Sequence, residues 1–144
     1  MKAVMCKGYG PPESLVIEDL PDPSPGAGEV LVDVTYVGLN FFDTLIIENK
    51  YQIKPELPFS PASEFSGRVS ALGAGVSGFR VGDRVCGSLG YGAARSKVVV
   101  KPNQIYAIPD GLSDEKAAGL IITYGTSHHA LKQRARLKAG ETMA

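Results

Sequence analysis

Four side chains with chemical capability fall in one stretch, Tyr36 to Gly67: the amide of Asn40, the carboxylates of Asp43 and Glu64, and the phenol of Tyr51. An amide donates and accepts without titrating, which suits it to orienting another amide or a hydroxyl. A phenol can hand over a proton. Together they could line a reaction cleft. Each also has a structural reading, since Asn and Asp cap short helices and Tyr51 can pack its ring on Pro55 or Pro58. No two of them form a diagnostic spacing, so residue types alone leave function and packing balanced.

The elements around this stretch are mostly strands. Glu29 to Leu39 alternates, placing Val30, Val32, Val34 and Tyr36 on one face of a predicted strand. From Asn40 to Glu48 the period of two is lost, and Phe42, Leu45 and Ile46 recur at helical spacing. That predicts a short helix beginning where the strand ends. Glu64 to Leu72 alternates again. Met1 to Lys7, Leu15 to Leu20, Val81 to Cys86, Ala93 to Lys101 and Gln104 to Ile108 read as further strands, divided by many turns. After Pro109 the character changes. Ser113 is a good N-cap with Asp114 and Glu115 in the first turn, and Tyr124 to Leu137 reads as a second helix stopped by Gly140.

The 144 residues suffice for one packed domain without a metal or disulfide staple. Fifteen basic and fifteen acidic side chains cancel, so composition supplies no electrostatic attraction to nucleic acid or an anionic membrane, and neither is expected as a partner. The N-terminus lacks a signal-like apolar run, and no segment approaches the ~20 apolar residues of a membrane span. Two lone cysteines, Cys6 and Cys86, read as reduced thiols of a cytoplasmic protein.

Three patterns are tempting and are set aside. Gly73-Ala74-Gly75-Val76-Ser77-Gly78 matches Gly-x-Gly-x-x-Gly, but a strand follows instead of a helix, and no acid stands ~20 residues on; it reads as a turn. His128 and His129 are adjacent, so their side chains diverge on a helix and cannot easily grip one ion; one half-buried and one exposed histidine is expected. Cys86, in an apolar strand, reads as core.

Read together, several stretches resemble the N-terminal catalytic domain of the medium-chain dehydrogenase/reductase superfamily. They are Pro25-Gly26 through Val32, Val37-Gly38-Leu39-Asn40 with Asp43, Pro61 to Gly67, Val69 to Val85, Ala117-Ala118, and Tyr124-Gly125-Thr126 through Leu131. The resemblance implies a mostly β fold with C-terminal helices, a GroES-like, partly open β-barrel, over residues 1–125. Residues 126–144 would lead toward a Rossmann cofactor domain that the chain does not contain. Asn40 and Ser63 stand where the zinc-dependent branch has its cysteine and histidine ligands, and neither is an ordinary zinc ligand, so no metal is expected. The Asn40-x-x-Asp43 pattern followed by Tyr51 is similar to the zinc-free quinone oxidoreductases.

That branch implies hydride transfer from NADPH to a quinone or activated enone. Tyr51 would be the proton donor, Asn40, Asp43 and Thr126 would lie at the cofactor, and Phe41, Phe42, Ser63 and Glu64 would form the substrate pocket. A small-molecule substrate and a homo-oligomer at full length belong to the same expectation. Leu45 and Ile47 depart from the tyrosine and arginine common in relatives, leaving substrate preference open. The chain reads as a fragment, inactive alone. The alternatives are an enoyl-thioester reductase of the same superfamily and a non-catalytic GroES-like binding module.

Overall fold

The computed structural model describes residues 1–143. Among the described residues, seven strands form two antiparallel sheets. β1 (Lys2–Met5) pairs with β2 (Val16–Asp19). The larger sheet runs in the order β6-β3-β4-β5-β7, built from β3 (Val30–Gly38), β4 (Glu64–Leu72), β5 (Arg84–Ser88), β6 (Lys97–Val100) and β7 (Ile105–Ala107). β6 and β7 are its two ends, so the barrel is partly open, as the resemblance implied. Bridges from Ala3 to Arg95 and from Cys6 to Phe59 fasten this end of the chain to the segments that lead into β6 and β4. No helix among the described residues is long and apolar enough to cross a membrane.

The main core lies on one face of the large sheet, where Val30, Val32, Phe65, Val69, Val85 and Val98 meet. Their β-branched and aromatic shapes pack well on a pleated surface, and each buried side chain contributes roughly 1.5–3 kcal/mol. The expected face in β3 holds through Val34 and then breaks. The pairing with β4 shifts between Val34 and Tyr36, so Tyr36 turns outward and is 44% exposed; a bulge reverses the facing of everything after it. β4 is buried on both faces as far as Gly67. Its second face is covered by α2 (Asp114–Ala118), with Ser66 Oγ donating to Asp114 O at 2.6 Å and Cys86, Ile108 and Ala117 packed together.

α1 (Phe41–Ile47) forms where the strand ends, as its apolar spacing predicts, and buries Ile46 and Ile47 against Cys6 and Phe59. It stops at Asn49, whose φ of 58° lets Asn49 N–H reach Ile46 O and Lys50 N–H reach Leu45 O. A left-handed residue at that position satisfies the orphan carbonyls of a helix end. The chain then reverses, carrying Tyr51 back over Phe42.

Several boundaries differ from the sequence reading. β5 begins at Arg84, not Val81, because Gly82 sits at φ 94° and the chain is still turning there. Residues 93 and 94 do not join β6: their N–H groups donate to Ala62 O and Pro61 O instead. The second C-terminal helix, α3 (Ile121–His128), starts three residues before Tyr124 and loosens into wider turns over His129–Arg134. His128 and His129 are both exposed, so the half-buried histidine is absent. The Gly73–Gly78 segment is a turn clasped to the Gly26–Glu29 loop: Gly73 N–H donates to Glu29 O, and a Cβ at Gly73 would lie 1.7 Å from Gly26 O.

Candidate active site

The start of α1, the segment after it at Tyr51 and Ile53, the loop after β5 and the first turns of α3 line a cavity of about 630 Å³. Asn40, Phe41, Phe42 and Tyr51 line one side, and Ile122 and Thr126 line the other. Phe42 and Tyr51 stack with ring centroids 5.4 Å apart and planes inclined by 22°. The fold grips Tyr51 by its ring. Phe41 is 79% exposed yet borders the same cavity. Thr126 lies one helical turn beyond Ile122, so the two share a face of α3.

Glu64 is where the site is assembled. It is 1% exposed, accepts Asn40 Nδ2–H through Oε1 at 2.9 Å, and accepts Ile122 N–H through Oε2 at 3.0 Å. The second bond reaches the first turn of α3, whose leading residue, Leu120, makes no side-chain cap. A carboxylate there satisfies an orphan donor and suits the positive end of the helix. Gly38 makes room for it. A Cβ at Gly38 would fall 2.5 Å from Ala118 O and 2.6 Å from Glu64 Cγ.

Asp43 sits under the first turn of α1, 5% exposed, with Oδ2 accepting Asn40 N–H at 2.8 Å. Burial pushes its carboxyl above the usual carboxylate range. Asn40 N–H and the Ser63 hydroxyl oppose the shift, and the Glu64 charge adds to it. Asp43 Oδ1 and Ser63 Oγ nevertheless complete no hydrogen bond with a described residue.

The structure therefore brings together Tyr51, Asn40, Thr126, Phe41 and Phe42 at one cavity and places Asp43, Ser63 and Glu64 behind its wall. Ser63 and Glu64, each 1% exposed, are not among the residues that line it. Sequence reasoning missed Ile53, Leu89, Gly90, Ile122 and Thr123, which also border the cavity. None carries a chemical signature. The glutamate opening β4 was the one legible hint, because a buried acid requires partners. A separate groove of about 410 Å³, bordered by Ile17, Val34, Val37 and Leu39, holds neither the phenol nor the amide.

The family profile of the alcohol dehydrogenase GroES-like domain matches residues 26–110. The quinone oxidoreductase-like protein 2 homolog of Nematostella vectensis is 42% identical over 144 residues, covering 99% of this chain and 39% of that protein. Among solved structures, the human synaptic vesicle membrane protein VAT-1 homolog-like protein superposes with a TM-score of 0.93 at 34% identity, over 97% of this chain and 45% of its own. A mycobacterial protein solved in complex with NADPH gives a TM-score of 0.89 at 34% identity, over 98% of this chain and 44% of its own. The chain thus spans less than half the length of these relatives.

Proposed function

Because the chain belongs to the medium-chain dehydrogenase/reductase superfamily, in its quinone oxidoreductase branch, we propose that it supplies the substrate side of an NADPH-dependent reductase of quinones or activated enones. The observation that carries this reading is the convergence of Tyr51, Asn40 and Thr126 on one cavity with an aromatic wall. We read residues 1–125 as the catalytic unit and 126–144 as the passage toward a cofactor domain, in a cytoplasmic homo-oligomer. The family resemblance is the support for that part.

The residues present fit one face of a nicotinamide. The cavity is broad, its Phe42–Tyr51 wall is flat, and Asn40 keeps its Oδ1 acceptor while Nδ2 is held by Glu64. Asn40 and Thr126 would hold the cofactor, with Asp43 fixing Asn40 through its backbone N–H. When bound, NADPH supplies the hydride. Tyr51 then donates its phenolic proton to the carbonyl oxygen as that oxygen gains charge. Phe41 and Phe42 present apolar surface to a flat substrate and exclude water from it. Glu64 and Ser63 act from behind, Glu64 by setting the Asn40 amide and α3 together. Asn40 with its amide so engaged, and Ser63, are a poor donor set for zinc, so the reaction is proposed without that metal.

The test is to express the protein from its whole reading frame and follow NADPH oxidation with a panel of quinones and with an enoyl-CoA. Quinone turnover upholds the proposal. Turnover of the enoyl thioester alone would move the chemistry to an enoyl reductase, and turnover of neither would overturn both.

A further inference from the structure

Beyond Ile53, a second cavity of about 430 Å³ opens between the Lys54–Phe59 segment and Tyr91. Ile53 lines both this cavity and the one at Tyr51, so the two adjoin there. Leu89 does the same for a third hollow of about 330 Å³, which shares Tyr91 and Arg95 with the second. Arg95 lies between the second and third of these spaces.

Its surroundings are unusual for a partly buried cation. The backbone of Arg95 is pinned by the bridge to Ala3 and by its N–H bond to Ala93 O at 2.7 Å. Its Nε is buried, and no described residue accepts from it. No carboxylate among the described residues forms an ion pair with it. Lys97, which shares the third hollow, is committed to Asp33 at 2.7 Å. Exposed Lys54 lines the second cavity with Arg95, against the one carboxylate of exposed Glu56, so positive charge prevails there. Tyr91, edge-on to Phe59 at 5.9 Å, supplies an aromatic wall.

A buried, charged donor left unmade is costly, and the planar guanidinium fork matches the two oxygens of a carboxylate. We infer that Arg95 receives the carboxylate of a substrate's tail, reaching past Ile53 and Leu89 while the substrate's reactive end lies at Tyr51. The inference rests on the reduction proposed for the Tyr51 cavity and names its substrate class: quinones or enones bearing an acidic side chain. Arg95 is then a specificity-determining residue.

Two measurements on the protein from its whole reading frame decide this. The first compares kcat/KM for a quinone carrying a carboxylate-terminated side chain with that for its methyl ester. The wild type prefers the acid by about tenfold, and Arg95→Gln abolishes the preference while leaving the ester within about twofold. An unchanged acid-to-ester ratio in Arg95→Gln overturns the assignment. Arg95→Lys keeps the charge and loses the fork; it retains part of the preference, and thermal unfolding of both variants verifies that they fold.

The second measurement needs no turnover. Benzoate is titrated by calorimetry, with methyl benzoate as the neutral control. Benzoate binds the wild type about tenfold more tightly than it binds Arg95→Gln. Equal binding overturns the site even if quinones are reduced. Should no quinone be reduced, the proposed reaction fails while this titration still decides whether Arg95 binds carboxylate. Arg95-dependent benzoate binding without any acid preference in turnover assigns the site to a free carboxylate and overturns the substrate tail.

Discussion

Glu64 joins Asn40 to the head of α3 through its two carboxylate oxygens, at 2.9 Å to Asn40 Nδ2 and 3.0 Å to Ile122 N. Glu64→Gln preserves the shape but removes the charge from both bonds, and its new donor faces the Asn40 donor unless the Asn40 amide turns over. Hydrogen bonds to charged groups contribute about 1.5–3 kcal/mol each, so unfolding in urea should show a loss of at least ~1.5 kcal/mol. A loss within about 0.5 kcal/mol would mean that the bridge contributes nothing net.

Gly38→Ala tests the same junction from the other side. Its methyl group would collide with Ala118 O and Glu64 Cγ, one a backbone atom and one a buried side chain. Neither can move freely, so the variant should lose about 1–3 kcal/mol, and α2 should separate from β3. Amide exchange in Asp114–Ala118 should quicken in parallel with the lost stability. Unchanged protection there would show that the neighbours give way locally.

Tyr51→Phe keeps the stack on Phe42 and removes only the hydroxyl. General acid catalysis contributes about 10²-fold or more, so kcat should fall by roughly that factor in the protein from its whole reading frame. Cofactor affinity should stay within about twofold, since the ring and its packing remain. A kcat equal to the wild type would leave Tyr51 as a packing residue.

The Asp43 carboxyl titrates above its ordinary value because it is buried, which fixes a sign. The folded protein holds this proton more tightly than the unfolded chain. The stability so gained is full below the unfolded pKa and is lost as pH rises through the folded one. Asp43→Asn cannot lose it and still offers an acceptor to Asn40 N–H. Urea unfolding at successive pH values should therefore show the variant gaining on the wild type as pH rises from about 4. Parallel curves would mean that the burial effect is cancelled by Asn40 and Ser63.

Cys6 and Cys86 are 0% and 4% exposed, and burial raises both thiol pKa values. Thiolate is the reactive form, so a disulfide reagent at mild alkaline pH should modify neither in the folded protein and both after denaturation. Fast modification of the native protein would contradict the packing around β5 and α1.

Much of this architecture was legible because its signals are local. The alternation of Glu64 to Leu72 gave β4 to the residue, and the loss of period at Asn40 gave α1. What could not be read was long-range or slight. The β3 bulge that turns Tyr36 outward is a register shift against a strand thirty residues away, and no periodicity within β3 announces it. Asn40, Phe42 and Tyr51 line the cavity, and their chemistry or aromatic bulk is visible in the letters. Ile122 and Leu89 reach the cavity only through the fold. Glu64 is buried and does not line the cavity, and a strand pattern does not say which of two buried faces a cavity adjoins.

Glu64 takes hold of α3 through the main chain of Ile122 and not through its side chain. The anchor therefore accepts any residue but proline, which has no N–H, at position 122, although that side chain borders the cavity. Position and chemistry are separable there: substitutions at 122 can remodel the wall and retune which molecules fit while the wall stays where it is. The junction gives this fold a place to vary its selectivity without first risking its scaffold.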